Sequence, residues 1–146
     1  MTPGIGGVRV ADDDDLAAIV RMGARFLSEG PYPREVADTA VLERFVRHLL
    51  EHGYVTCSDK GMLLGQSFVN PITGELTAAE IAWWVEPEHR KGSRDALRLL
   101  MAFEAWARDK EATLIQMIAP VGTPLGRLYA RRGYSELETI WQKRIA

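Results

Sequence analysis

Cysteine occurs once in these 146 residues, at Cys57, and histidine three times, at His48, His52 and His89. One cysteine excludes an internal disulfide and fits a reducing, cytoplasmic compartment. A cysteine-rich zinc site is excluded, and the histidines lack a ligand spacing, so no metal is expected. No run approaches the roughly 18 uncharged apolar residues of a membrane span. The opening MTPGIGGVRVADDDD has neither an apolar signal core nor a basic leader, so no membrane role is expected. Charge of neither sign dominates: 18 Lys and Arg against 20 Asp and Glu give −2. That leaves no overall basic footprint, and nucleic acid is not an expected partner. Internal repeats and low-complexity linkers are missing too.

What is present is an ordinary globular balance, 47% hydrophobic and 26% charged, which argues against disorder. The length suits one domain over residues 1–146, with a loose, Gly-rich start at 1–7. Residues 8–10 read as a short strand. Asp12 to Asp15 follow, then Leu16, Ile19, Val20, Gly23, Phe26 and Leu27, one stripe of a helix. Carboxylates in a first turn cap free amides and face the positive end of the dipole. Capping is favoured over a metal site, because it needs no further ligands.

Gly30-Pro31-Tyr32-Pro33 breaks this helix, and a second is expected over residues 38–51, stopped by Gly53. The period then changes to two. Residues 54–58 and 62–69 read as strands joined by a turn at Asp59-Lys60-Gly61, and residues 76–86 as a third, long strand. A helix apolar nearly all round opens near Ser93 and runs to about Lys110. Residues 113–118 make a short buried strand. Thr123-Pro124 predicts a capped helix start, with Leu125, Leu128 and Tyr129 on one face and Gly133 at its end. Residues 134–145 alternate again and predict one or two final strands. The strand–helix–strand passage in the middle predicts a right-handed parallel pair, whereas the hairpins are antiparallel. The fold class is therefore α+β with a mixed, mostly antiparallel sheet and about four helices.

The segment richest in chemistry is VEPEHRKGSRDAL, from Val85 to Leu97. A strand ends, a basic loop passes through Gly92, and a buried helix begins. Helix starts present unpaired N–H groups and partial positive charge, which bind phosphate. His89, Arg90, Lys91, Arg94 and Arg98 surround that point. A diphosphate fits this arrangement; so does a plain solvated loop. The segment matches neither G-x-x-x-x-G-K-[ST] nor G-x-G-x-x-G.

Val85-x-Pro87-x-x-Arg90-x-Gly92, followed by Asp95-Ala96-Leu97-x-Leu99-Leu100, resembles the acetyl-CoA loop of the GNAT superfamily of N-acetyltransferases. Downstream, Leu128-Tyr129-x-x-x-Gly133-Tyr134 is similar to the family's leucine-tyrosine and glycine-aromatic signature. The opening from Val8 to Leu16 also resembles the family's first strand and helix. The resemblance covers about residues 8–145, and residues 85–134 are its specific part. The loop is one residue short after Arg90 and lacks the second glycine, as in small bacterial and phage variants. Asp95 would repel a diphosphate there unless it turns away or pairs with Arg94 or Arg98.

The resemblance implies a central parallel strand pair splayed for acetyl-CoA, used as cosubstrate. Trp84, Val85 and Glu86 would meet the pantetheine through their backbone. Arg90, Lys91, Gly92, Ser93 and Arg94 would hold the diphosphate. It implies transfer of the acetyl group to a primary amine, on a small molecule or a protein, by direct attack in a ternary complex. Tyr129 is then the acid candidate; as a packing residue it needs no such role. Glu80, a carboxylate in an apolar strand, is the base candidate, placed by strict alternation on the face of Ala82 and Trp84. It also fits an exposed sheet position or an arginine partner, and a water chain is an alternative base. Tyr32 and Arg34, between the first two helices, are substrate-binding candidates by position. Cys57 is not expected as a nucleophile, since no histidine partner is suggested. Exposed Trp141 or Ile145 would suit a homodimer. The competing function is a non-catalytic acyl-CoA sensor or interaction module on the same fold.

Overall fold

The computed structural model describes residues 7–32, 38–91 and 94–146. In chain order the elements are β1 (Arg9–Val10), α1 (Leu16–Glu29), α2 (Thr39–His52), β2 (Tyr54–Ser58), β3 (Gly61–Val69), β4 (Leu76–Val85), α3 (Asp95–Asp109), β5 (Leu114–Gln116) and α4 (Leu125–Arg131). The strands form one sheet in the order β1-β2-β3-β4-β5. The first four run antiparallel, and β4 and β5 are parallel, joined through α3. This is the mixed α+β sheet that the residue periods imply.

The aspartate run starts α1 as a cap. Asp12 accepts from the Asp14 N–H at 2.9 Å, and Asp15 accepts from the Asp12 N–H at 2.9 Å, a reciprocal box at a 3-10 turn. Arg9 bonds Asp15 through two nitrogens, at 2.7 and 2.6 Å, fastening β1 to the helix entrance. That partner holds the Asp15 carboxyl below its ordinary range.

Two apolar layers cover the two faces of the sheet. On one, Ile19 and Met22 of α1 and Val46 and Leu49 of α2 pack on Val55, Cys57, Met62, Leu64, Ala82 and Trp84. On the other, Leu99, Phe103 and Ala107 of α3 pack on Tyr54, Leu63, Ala78 and Val85. Trp83 belongs beside this second core, so the adjacent indoles Trp83 and Trp84 serve opposite faces, as strand geometry requires. No helix among the described residues is long and apolar enough to cross a membrane.

Three expectations are corrected. The final strands predicted over residues 134–145 are not formed: that segment makes no ladder with the sheet and is exposed over nearly its whole length, so its alternation finds no partner strand. Thr123 does not cap α4; its hydroxyl donates to the Pro120 carbonyl at 2.7 Å, a turn bond that competes with capping, and Pro124 takes the cap position. Finally, α3 opens at Asp95 rather than near Ser93.

Candidate active site

The parallel strands β4 and β5 touch over a short length: Thr77 faces Leu114, Ala78 faces Ile115 and Ala79 faces Gln116. Beyond Ala79, β4 continues from Glu80 to Val85 with no strand paired on that side among the described residues. On its other side β4 stays paired with β3, but with a bulge. Leu64 faces Ala82 and Gly65 faces Glu80, so Ile81 is an extra residue. Ile81 and Ala82 both pack in the α1–α2 core, and the period of two breaks there. Strict alternation therefore does not carry from Trp84 to Glu80, contrary to expectation. Glu80 is registered opposite Gly65, where an added Cβ would strike the Phe103 ring on the α3 side.

Glu80 is 5% exposed. Its Oε2 has no hydrogen-bond partner among the described residues. A buried, unpaired carboxylate is costly to ionise, and burial pushes its pKa up to about 8. Two tyrosines lie near enough for its charge to act on them. Tyr32 is raised by burial and then by Glu80. Tyr129 is raised by burial, then by Glu80 and Tyr134. The charge of Glu80 thus reaches two further candidates, Tyr32 and Tyr129, from widely separated stretches of sequence.

Tyr129 projects from α4 with its ring centre 6.2 Å from that of Trp83 and 5.7 Å from that of Tyr134. Its hydroxyl donates to the Ile118 carbonyl at 2.7 Å. The helix is held by a tie that sequence reading missed: buried Glu104 of α3 accepts from Arg132 and, at 2.9 Å, from the Tyr134 hydroxyl. Cys57 is remote in chemistry, buried with its thiol pushed up to about 11. It stays protonated and unreactive at neutral pH.

The loop after β4 turns inward more than its basic residues suggest. Glu86 N–H donates to Lys60 O at 2.8 Å, and a 3-10 turn follows over Pro87–His89. Arg90 folds back: Nε donates to Val85 O at 2.8 Å, and the guanidinium lies over the Trp84 ring. Arg90 also approaches Glu29 at 3.7 Å. Arg25 lies over the same ring, 5.6 Å from its centre, and pairs with Glu86 and, at 3.6 Å, with Glu29. Two of the backbone groups assigned to pantetheine, Val85 C=O and Glu86 N–H, are thus bonded within the chain. Arg25 and Glu29 form an i,i+4 pair legible in sequence, but nothing there shows that it meets Trp84.

Lys91 and Arg94 are exposed, between the end of β4 and the start of α3. Arg94 occupies the α3 cap position without a side-chain cap bond. Asp95 turns toward Arg98, 3.9 Å away, and accepts from Ser58 Oγ at 3.5 Å, which answers the repulsion expected of it. Arg34, Gly92 and Ser93 lie outside the described residues. Also among the described residues, no three His, Cys, Asp or Glu side chains form a group that could hold a metal.

No family model and no curated protein matches the chain. Solved structures do. A transcriptional regulator from Bacillus halodurans C-125 superposes with a TM-score of 0.75 at 18% identity, over 94% of this chain and 98% of that one. A protein of Pyrococcus furiosus assigned as an acetyl transferase gives 0.73 at 20% identity, over 94% and 99%. The aminoglycoside 6'-N-acetyltransferase of Acinetobacter haemolyticus gives 0.70 at 18% identity, over 95% and 99%. The fold is that of the GNAT acetyltransferases.

Proposed function

We propose that this chain is an acetyl-CoA-dependent N-acetyltransferase acting on a primary amine, of a small molecule or a protein. The observation that carries the reading is Glu80: a buried carboxyl with an unbonded oxygen, whose charge reaches Tyr32 and Tyr129, where β4 leaves β5. The free side of β4 beyond Ala79 suits an extended amide chain such as pantetheine, which can add to a sheet edge as a strand does. Lys91 and Arg94, with the start of α3, suit the diphosphate. Gly92 and Ser93 belong to the same assignment by sequence. When bound, acetyl-CoA supplies an acyl group activated as a thioester.

The residues of this chain supply positioning and proton management. An amine attacks only when neutral, and Glu80 as carboxylate takes its proton. A base near pKa 8 is well matched to an ammonium group at neutral to mildly alkaline pH. Tyr129 stays protonated throughout that range, since burial raises it. Its hydroxyl, released from Ile118 O, donates to the departing sulfur. Tyr32 borders the acceptor side, with Arg34 assigned there by position. The amine and thioester must react within one ternary complex, where orientation replaces a bimolecular encounter.

One observation favours a second reading, a non-catalytic acyl-CoA-binding module. Arg90 and Glu86 are committed to Trp84, Val85, Glu29 and Arg25 rather than to the open loop. Titration calorimetry with acetyl-CoA, followed by thiol release over a panel of amines, separates the two. Binding with turnover supports the enzyme, and binding without turnover supports the module. Tyr129→Phe is expected to lower kcat by at least about tenfold with KM for acetyl-CoA little changed. An unchanged kcat removes Tyr129 from the reaction. A free, buried thiol at Cys57 is consistent with a cytoplasmic setting.

A further inference from the structure

Three histidines make no closed zinc site in the sequence, but α2 brings two of them together. His48 and His52 are four residues apart, and side chains at that spacing stand one above the other on a helix. Both are exposed, and their ring centres lie 5.0 Å apart with the planes tilted by 48°. The same two turns carry Val46 and Leu49, which are buried in the core. The rings therefore ride on backbone that the core holds in place.

Their separation is the one a shared metal ion requires. An imidazole nitrogen binds zinc at about 2.0 Å, which places its ring centre roughly 3.2 Å from the ion. Two such rings at a tetrahedral angle have their centres about 5.2 Å apart. The observed 5.0 Å meets that figure without moving the helix, and rotation of the exposed rings completes the fit.

The surroundings suit a cation. His52 stands in the last turn of α2, at the negative end of the helix dipole. Glu51 Oε2 lies 3.5 Å from His52 Nε2, and a carboxylate beside a ligating imidazole orients the ring and raises its basicity. Arg47, next to His48, has its charge offset by Glu43 at 2.9 Å. Imidazoles select zinc, nickel and copper, whereas magnesium and calcium take oxygen ligands. The order His-x-x-Glu-His also occurs in one class of zinc peptidases. Among the described residues no third ligand joins this pair, so the site is one of binding rather than hydrolysis.

We propose that His48 and His52 chelate one late first-row divalent ion, such as zinc or nickel, on the exposed face of α2, and that the ion clamps the last turn of that helix. This holds whatever reaction the residues around Glu80 support.

The test titrates the full chain with nickel chloride and with zinc chloride by calorimetry. One ion per chain is expected, with a dissociation constant of roughly 1–100 μM, since two imidazoles supply half the ligands of a structural zinc site. His48→Ala and His52→Ala are each expected to weaken binding by at least about tenfold, and His89→Ala to leave it unchanged. The spacing is tested at a constant count of imidazoles. Arg44→His added to His52→Ala rebuilds a pair four residues apart and is expected to restore binding. Arg47→His added to His52→Ala makes adjacent histidines, which point away from each other, and is expected not to. The ion is also expected to raise Tm in the wild type and not in His48→Ala, because it binds the folded helix. Absence of binding at millimolar ion overturns the proposal. So does binding that neither His48→Ala nor His52→Ala weakens, or equal recovery in the two rescue variants.

Discussion

The guanidinium of Arg90 lies 4.5 Å from the centre of the Trp84 ring, while its Nε donates to the Val85 carbonyl. The loop after β4 is thereby fastened to the strand it follows. Arg90→Ala removes a cation–π contact and a charge-assisted bond at a half-exposed site, and should cost about 1–2 kcal/mol. Urea unfolding should show the lower midpoint, with a shift in tryptophan fluorescence as Trp84 loses its cover. If Arg90 serves a bound diphosphate alone, stability of the free protein will not change.

Glu80 sets a pH dependence whose sign is opposite to that of a paired carboxylate. Its folded pKa, about 8, lies above the unfolded value. Below the unfolded pKa the group is protonated in both states and costs nothing. As pH rises toward 8 the unfolded chain ionises first, so stability falls through that window and then levels. Glu80→Gln should remove this slope and be the more stable protein at pH 8, by on the order of a few kcal/mol. Thermal melts from pH 5 to 9 would show two parallel curves if Glu80 were solvated. The same substitution should abolish the rise in acetylation rate that a base of this pKa gives between about pH 7 and 9.

Much of this arrangement could be read before any coordinates. The change of period and the turn residues Gly53, Asp59-Lys60-Gly61 and Asn70-Pro71 bounded β2, β3 and β4 to within a residue at every end, although the sheet is covered on both faces. The aspartates and Leu16, Ile19 and Phe26 located α1, because caps and helical stripes are local signals. The bulge at Ile81 was not legible: LTAAEIAWWVE runs on without a break, and the extra residue is defined only by the register of β3. Arg90 looked like a free cation because its neighbours in sequence are polar. Its partners, Glu29 and Trp84, come from another helix and from the strand's buried face. Residues 134–145 alternate as a strand does without forming one, since alternation states which residues want a partner, not where that partner is.

Gly65 faces Glu80 across the bulge, and its open side is filled by the Phe103 ring. Phe103 is fully buried and cannot give way. Gly65→Ala should therefore cost roughly 1–3 kcal/mol by overpacking. At this chain length that is a fall in Tm of roughly 3–10 °C. A change of less than a degree would mean that β3 shifts freely against α3, contrary to the packing described.

Glu104 is 5% exposed and its two oxygens are taken by Arg132 and the Tyr134 hydroxyl. This joins α3 to the end of α4, the helix that carries Tyr129. Arg132→Met leaves a buried carboxylate short of its cation, which costs about 3–5 kcal/mol where both partners are buried. Arg132 is itself 31% exposed, so solvent relieves part of that penalty and about 1–3 kcal/mol is expected. Glu104→Met combined with Arg132→Met removes the unpaired charge as well. The double variant should be more stable than Arg132→Met alone, and a denaturation cycle over the four proteins measures the coupling. If α4 is placed by this tie, the single variant will also lose kcat through a displaced Tyr129, while the apolar double variant recovers part of it. Loss of stability in both with kcat untouched would mean that packing of Tyr129 on Trp83 alone sets the helix.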